Sequence, residues 1–172
     1  MDGRAEAKLR RRGARLVGAA LGGAAPPIVS TLEIARPARQ VFSLATDPSR
    51  FGEWQEGVVR GSHERGGPQG IGSCCTTTRL LGGRERTSTQ EVIALDPPHR
   101  WSVQGVDGPV RADVDVLVES IEDGAAARVT ITLNFRGRGI GRVIVPLLVI
   151  RQAAREAPRS CAKLKQLLEQ GE

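Results

Sequence analysis

Residues 110–120 have the sequence VRADVDVLVES, in which apolar and polar side chains alternate along almost the whole stretch. Side chains of a β-strand point alternately to its two faces, so this period of two predicts a strand with one dry and one solvated face. The dry face would carry Val110, Ala112, Val114, Val116 and Val118. The solvated face would carry Arg111, Asp113, Asp115 and Glu119. Such a strand needs a second layer to cover its dry face.

The stretches on either side of this strand predict an antiparallel sheet. Residues 128–135 repeat the alternation after an Asp123-Gly124 turn, and Gly82-Gly83 and Asp107-Gly108 are typical of tight hairpin turns. Further strands are predicted at residues 28–35, 58–64, 73–81, 84–95 and 100–106. The chain therefore contains six or seven strands, most of them joined by short turns.

A single long helix is predicted at the C-terminus. Apolar residues from Val143 to Leu168 recur at alternating intervals of four and three, which places them in one stripe along a helix that Pro158 should kink. Two short helices are predicted after the first strand, at residues 38–46 and 49–52. The long helix is the element able to cover the sheet, and a sheet curved around one helix tends to leave a hollow where small ligands bind.

The positive charge of the chain is concentrated at its N-terminus. The 172 residues include 25 Lys+Arg and 19 Asp+Glu, a formal charge of +6. Residues 1–27 hold six basic and two acidic residues and account for +4 of it. We predict a basic, poorly ordered extension at residues 1–27 and one ligand-binding domain at residues 28–170. Two alternatives for the extension are an export signal and an arm that docks on a membrane surface or on nucleic acid.

Several functional classes have little support in the sequence. The chain has no apolar run of about 18 residues, and its three cysteines do not form a disulfide framework. Residues 66–72 are glycine-rich but lack the Lys-Ser/Thr ending of a phosphate-binding loop. We predict no metal site, no nucleotide cofactor and no specific nucleic-acid partner for the nearly neutral body of the chain. The expected location is the cytoplasm.

Four short motifs in order resemble one known superfamily. They are IARPARQVFSLATDPSRFGEW at residues 34–54, GIGS at 70–73, ALDPPHRW at 94–101 and LKQLLE at 164–169. Together with the order of elements, they are similar to the polyketide cyclase/dehydrase branch of the START/SRPBCC superfamily. The resemblance implies an α+β helix-grip fold, with a curved antiparallel sheet of six to seven strands wrapped around a long C-terminal helix.

The same resemblance implies a cavity for an apolar or aromatic small molecule and leaves the activity open. Enzymes of the superfamily place an arginine and a few hydroxyl, imidazole or phenol groups inside the cavity. This chain has no tyrosine, and its histidines, His63 and His99, lie at a strand end and in a proline-rich turn. We therefore predict binding of a lipid-like or polyketide-like molecule. Cyclisation or dehydration of a bound polyketide chain is the alternative, and docking through residues 1–27 is a third.

The predicted binding residues divide into an apolar wall and a few polar groups. The apolar wall would consist of Val103, Val114, Val116, Val118, Ile131, Leu133, Leu147 and Ile150. Arg151 borders the helical stripe and would anchor a carboxylate or enolate, unless its stem covers apolar surface and its head stays in water. The resemblance implies that Trp54 and Trp101 lie near the mouth or base of the cavity, and the alternative is that each belongs to the plain core.

The polar groups on two adjacent strands have two possible arrangements. One register would turn Thr76, Thr78, Ser88 and Gln90 into the cavity. The opposite register would turn Thr77, Thr87, Thr89 and Glu91 inward, with Glu91 as a candidate general base. A shift of one residue exchanges the two faces of a strand, so the residues alone leave both sets open.

Overall fold

The structure is a computed structural model, and it describes residues 26–64, 69–108, 110–137 and 145–171, with only the backbone of 145–147. Its strands are β1 (Ile28–Ile34), β2 (Val58–His63), β3 (Cys74–Leu81), β4 (Arg84–Asp96), β5 (Arg100–Gly105), β6 (Val110–Ile121) and β7 (Ala126–Gly137). Its α-helices are α1 (Ala38–Ala45), α2 (Phe51–Trp54) and α3 (Val145–Gln170). Short 3₁₀ helices occur at Pro48–Arg50 and Glu122–Gly124. The prediction for residues 1–27 lies almost wholly outside the described residues.

The seven strands form one antiparallel sheet in the order β1-β7-β6-β5-β4-β3-β2. Strands β2 to β7 follow one another as hairpins, and β1 pairs with β7 at the far edge. The sheet, the short helices after β1 and the long terminal helix confirm the predicted α+β helix-grip architecture.

The alternation along β6 and β7 separates a dry inner face from a charged outer face. On the inner face Val116 pairs with Ile131 and Val118 with Val129, and all four side chains are buried. On the outer face arginines meet carboxylates. These ion pairs join Arg100 to Asp115, Arg128 to Glu33 and Arg136 to Asp113. Their exposure limits the stability that each pair contributes, so the buried inner face is what fixes the sheet.

The short helices close one end of the molecule. Asp47 caps the 3₁₀ helix, because its carboxylate accepts a hydrogen bond from the Ser49 backbone N–H at 3.0 Å. This helix lies directly on β2, where a Cβ added to Gly61 would come within 2.1 Å of the Pro48 carbonyl oxygen. Only glycine fits that contact. The close packing of the 3₁₀ helix on β2 places α2, and with it Trp54, against the inner face of the sheet.

Helix α3 is fixed to β1 through its C-terminal half. Arg36 Nε donates to the Leu168 carbonyl at 2.8 Å, Lys165 Nζ donates to the Glu33 carbonyl at 2.8 Å, and Leu164 is fully buried. The helix continues through Pro158. Within the described part of the chain, no helix combines the length and apolar character needed to cross a bilayer.

Candidate functional site

A cavity of about 580 Å³ lies between the inner face of the sheet, α2 and the N-terminal half of α3. Its two sides differ in chemistry. We call the surface of β6 and β7 the apolar wall, formed by Val110, Ala112, Val114, Val116, Ile131, Leu133 and Phe135. We call the inner surface of β3 and β4 the polar wall, formed by Thr77, Arg79, Arg86, Ser88 and Gln90.

The apolar wall follows from cross-strand pairing. Val114 lies opposite Leu133, and Ala112 lies opposite Phe135, so apolar side chains meet on one face. Above them α3 presents Val149, Ala153 and Ala157 to the cavity. The small alanine side chains leave space between helix and sheet, and this space is the apolar half of the cavity.

The polar wall follows from the hairpin between β3 and β4. The turn at Gly82-Gly83 pairs Leu81 with Arg84, and the register then sets Thr77 opposite Ser88 and Arg79 opposite Arg86. Opposite residues share a face, so these side chains line the same part of the cavity. The wall is therefore a strip of hydroxyl and guanidinium groups.

An arginine–glutamate pair connects the polar wall to α3. Arg79 Nη1 lies 3.7 Å from Glu156 Oε2, and the Arg79 guanidinium also donates to Gln55 Oε1. Gln152 Nε2 donates to Glu156 Oε1 at 2.7 Å. Gly57 has a positive φ of 74°, and a Cβ there would lie 3.1 Å from the Glu156 carboxylate. The glutamate is thus held firmly at the cavity edge.

The surrounding protein removes much of the water from around the Arg79 guanidinium, yet the side chain remains accessible from the cavity. Burial lowers the pKa of the Arg79 guanidinium below its ordinary value, and Glu156 opposes that shift. The side chain nevertheless keeps 36% of its exposure, since it lines an open cavity. A desolvated guanidinium with a single carboxylate at 3.7 Å keeps N–H groups available to a further acceptor.

Two buried polar atoms at the cavity have no hydrogen-bond partner among the described residues. They are the indole Nε1 of Trp54 and the hydroxyl of Thr77, and each residue is only 4% exposed. Trp101 differs, because its Nε1 donates to Gln69 Oε1 at 2.5 Å. Buried polar groups are almost always satisfied, and for these two groups the described residues supply no partner.

The structure brings eight of the predicted binding residues into the cavity lining. These are Trp54, Ser88, Gln90, Trp101, Val114, Val116, Ile131 and Leu133. Val103 and Val118 are buried on the same inner face but belong to the core and do not reach the cavity. The side chain of Leu147 lies outside the described residues.

Four other predicted positions lie away from the cavity lining. Thr76 and Thr78 point to the opposite face of β3, where they share hydrogen bonds with Ser62 and Thr87. Ile150 is not part of the lining, and Arg151 lies on the exposed face of α3. A strict repeat of 3.5 residues drifts around a straight helix by about 20° per heptad. The stripe that was predicted from intervals of four and three therefore rotates away from the cavity towards the N-terminus of α3, and Ile150 and Arg151 lie outside the lining.

The opposite strand register is realised only in part. Thr77 lines the cavity. Thr87 also contributes to the lining, although its hydroxyl shares a hydrogen bond with Thr78. Thr89 and Glu91 pair with Thr76 and Cys74 and share their outward face. His63 and His99 do not line the cavity either, and His63 Nε2 lies 3.4 Å from Asp47.

Sequence reasoning missed the polar side chains that face the cavity from outside the apolar pattern. They include Gln55, Arg79, Arg86, Gln152, Glu156 and Ser160. On α3 the last three recur at intervals of four, so a stripe of polar residues continuous with Val149 and Ala153 was visible. The apolar stripe does not include these residues, because it is defined by apolar positions only.

Comparisons with known proteins agree with this architecture. A family model described as "Polyketide cyclase / dehydrase and lipid transport" matches residues 27–169. No curated protein matches the chain at a significant level. Among solved structures, a START superfamily protein from Mycobacterium smegmatis has 14% identity and a TM-score of 0.67, with 86% of this chain and 99% of that chain covered.

Two further solved structures carry aromatase/cyclase names. The Zhui aromatase/cyclase from Streptomyces sp. R1128 has 14% identity and a TM-score of 0.63, covering 83% of this chain and 94% of that chain. The di-domain ARO/CYC BexL from the BE-7585A biosynthetic pathway has 19% identity and a TM-score of 0.61, over 83% of this chain. This chain spans 46% of BexL, about half its length. At these identities the structures show a shared fold.

Proposed function

The chain belongs to the polyketide cyclase/dehydrase and lipid transport family, and from that premise we propose that its cavity binds a hydrophobic or aromatic small molecule. The ligand is oriented by the difference between the two walls. Its hydrocarbon face packs on β6 and β7, and its oxygen atoms face β3, β4 and α2. A volume of about 580 Å³ lies in the range typical of small-molecule sites.

The unpartnered Trp54 N–H and Thr77 hydroxyl carry this proposal. A buried polar group without a partner costs about 1–3 kcal/mol, and a ligand carbonyl, hydroxyl or carboxylate oxygen removes that cost. Arg79 supplies a third donor on the same side. Because Glu156 balances its charge, the site accepts a neutral oxygen as well as an anionic one.

Binding can be tested first with the full chain as purified. Native mass spectrometry should show a small molecule bound, and the probe 8-anilinonaphthalene-1-sulfonate should fluoresce in the cavity and be displaced by dodecanoate. Thr77→Val should weaken dodecanoate binding about five- to tenfold, since a hydrogen bond contributes about 1 kcal/mol. Thr76→Val is the matched control, because Thr76 lies on the outer face of the same strand. Equal effects of the two substitutions would contradict the proposed site.

Glu156 favours polyketide cyclisation as a second candidate function. Its carboxylate lines the cavity, with Gln152 and Arg79 beside it. In this scheme Glu156 accepts a proton from a carbon between two ketones, and the resulting carbanion attacks another ketone carbon of the same chain and closes the ring. Glu156 returns the proton to the alkoxide that forms, and loss of the new hydroxyl with a neighbouring C–H proton, as water, then leaves a C=C bond. Glu156→Gln should then retain binding and lose turnover of a poly-β-ketone substrate, followed by absorbance. Unchanged turnover would exclude Glu156 as the base.

A further inference from the structure

The outward face of α3 carries a row of four cations. Arg151, Arg155, Arg159 and Lys163 follow one another at intervals of four residues, and all four are exposed. Residues four apart on a helix are neighbours on its surface, about 6 Å along the axis. The cation row is therefore about 18 Å long.

Within the described part of the chain, these four cations have no carboxylate partner. The acidic residues of α3 are used elsewhere: Glu156 faces Arg79 in the cavity, and Glu169 contacts Lys165 and the Ala35 backbone N–H. The outer face of the sheet is different, because its arginines pair with Asp113, Asp115 and Glu33. The cation row therefore carries four formal positive charges that no ion pair among the described residues offsets.

An exposed leucine lies on the same face as the cation row. Leu148 is 72% exposed, seven residues before Arg155 and eleven before Arg159, so it continues their line. The next residue, Val149, lines the cavity, as does Gln152 one turn further. Gln152 Nε2 also donates to the carbonyl of Leu80, which is itself 44% exposed. Exposed apolar and cationic side chains therefore meet at the α3 end of the cavity.

We propose that this face, the cation row together with Leu148, docks on the surface of an anionic lipid bilayer. The cations lie at the level of the lipid phosphates, and Leu148 enters the boundary of the acyl chains. A nucleic-acid backbone would satisfy the cations but leave the leucine in water. Docking places the end of the cavity near Val149 against the membrane, where an apolar ligand passes between bilayer and cavity. The docking surface does not depend on which ligand the cavity holds.

The test uses the full chain and sedimentation with vesicles of phosphatidylcholine, with and without about 30% phosphatidylserine. We expect binding to the anionic vesicles only, weakened by salt. The triple variant Arg151→Gln, Arg155→Gln, Arg159→Gln should lose affinity about a hundredfold, since each of the three cations near such a surface contributes about fivefold. The control variant, Arg100→Gln, Arg128→Gln, Arg136→Gln, removes the same charge from the outer face of the sheet and should bind as the wild type does.

Insertion of Leu148 has its own measurement. In a Leu148→Trp variant, the fluorescence of the new tryptophan should be quenched by lipids with brominated acyl chains when anionic vesicles are present. Val29→Trp is the matched control, because Val29 is 57% exposed on the outer face of β1 and should not be quenched. The native Trp54 and Trp101 are buried and are present in both variants, so any quenching of them is common to both and cancels in the comparison.

Three results would overturn the docking proposal. The first is equal loss of binding in the two triple variants, which would mean that vesicle binding depends on net charge alone and not on the α3 face. The second is full retention in the α3 variant, which would assign the binding to residues 1–27, present in every variant. The third is binding of duplex DNA that matches or exceeds vesicle binding and is lost in the α3 variant, which would assign the face to nucleic acid. A cavity variant such as Thr77→Val should dock normally, so failure of the ligand site is separable from failure of docking.

Discussion

The apolar wall and the polar wall belong to one continuous sheet, yet they do different work. On β6 and β7 the inner positions are almost all branched or aromatic, and the polar residues point outward into ion pairs. On β3 and β4 the inner positions are threonine, serine, glutamine and arginine, and the Thr77 hydroxyl among them has no partner in the described part of the chain. The apolar wall stabilises the fold, and the polar wall keeps unsatisfied groups at the cavity for a ligand. Substitutions that exchange the character of the walls should therefore have opposite effects.

The largest expected effect is a charge placed in the apolar wall. Val116→Asp should destabilise the protein by about 3–5 kcal/mol, because the carboxylate would be buried without a partner. The neighbouring Leu117 is 41% exposed on the outer face, so Leu117→Asp should cost about 1 kcal/mol or less. Urea denaturation of both variants measures the difference. Equal losses would mean that the two faces of β6 are not distinct.

A smaller effect is expected when the ion pair at the polar wall is broken. Glu156→Leu should destabilise by about 1–2 kcal/mol, less than for a fully buried pair because Arg79 keeps 36% of its exposure. Removing both charges, with Arg79→Leu and Glu156→Leu together, should recover most of the loss. A double-mutant cycle in urea measures the coupling, and additive losses would contradict a direct interaction.

Removing the unpartnered hydroxyl of the polar wall should change the free energy of unfolding in the opposite direction. Thr77→Val should leave the unliganded protein as stable or stabilise it by up to about 1 kcal/mol, since it removes a buried hydroxyl without a partner. Thr76→Val loses a hydrogen bond to Ser62 and should be slightly destabilising. Thermal unfolding with ligand removed distinguishes them. A clear destabilisation by Thr77→Val would show that its hydroxyl is already satisfied.

The cysteines give the smallest and most local effect. Burial raises the pKa of the Cys75 thiol to about 11, and burial also raises the pKa of Cys161, which lines the cavity. At pH 8 both should react slowly with a maleimide, and labelling of Cys161 should slow further when dodecanoate fills the cavity. Mass spectrometry of labelled peptides measures this. If dodecanoate left the labelling rate of Cys161 unchanged, the ligand would have to bind elsewhere.

The apolar wall was predictable from sequence because its pattern is simple. The alternation along residues 110–120 assigns Val114 and Val116 to the inner face, and the structure places both in the cavity lining. The same alternation cannot tell a cavity from a packed core. Val118 belongs to the same face but is covered by α1 and the core around it, which no local pattern reveals.

The polar wall was harder because threonine and serine occur on both faces of β3 and β4. One signal was nevertheless present in the sequence. A two-residue turn at Gly82-Gly83 makes Leu81 face Arg84, and counting back sets Thr77, not Thr76 or Thr78, opposite Ser88. For Glu156 and Gln152 the recurrence at intervals of four beside Val149 and Ala153 was a weaker signal, since a polar residue on an amphipathic helix is ordinarily solvated.

The two tryptophans offer the most direct test of the central claim, that unpartnered donors of the cavity bind a ligand oxygen. The chain contains only these two, so a ¹H–¹⁵N spectrum has two indole signals, which Trp54→Phe assigns. On titration with dodecanoate, which has no aromatic ring current, we predict a downfield shift of the Trp54 indole N–H as it gains an acceptor. The Trp101 signal should stay nearly fixed, because its N–H already donates to Gln69. A Trp54 signal that stays in place while dodecanoate displaces the fluorescent probe would contradict the account.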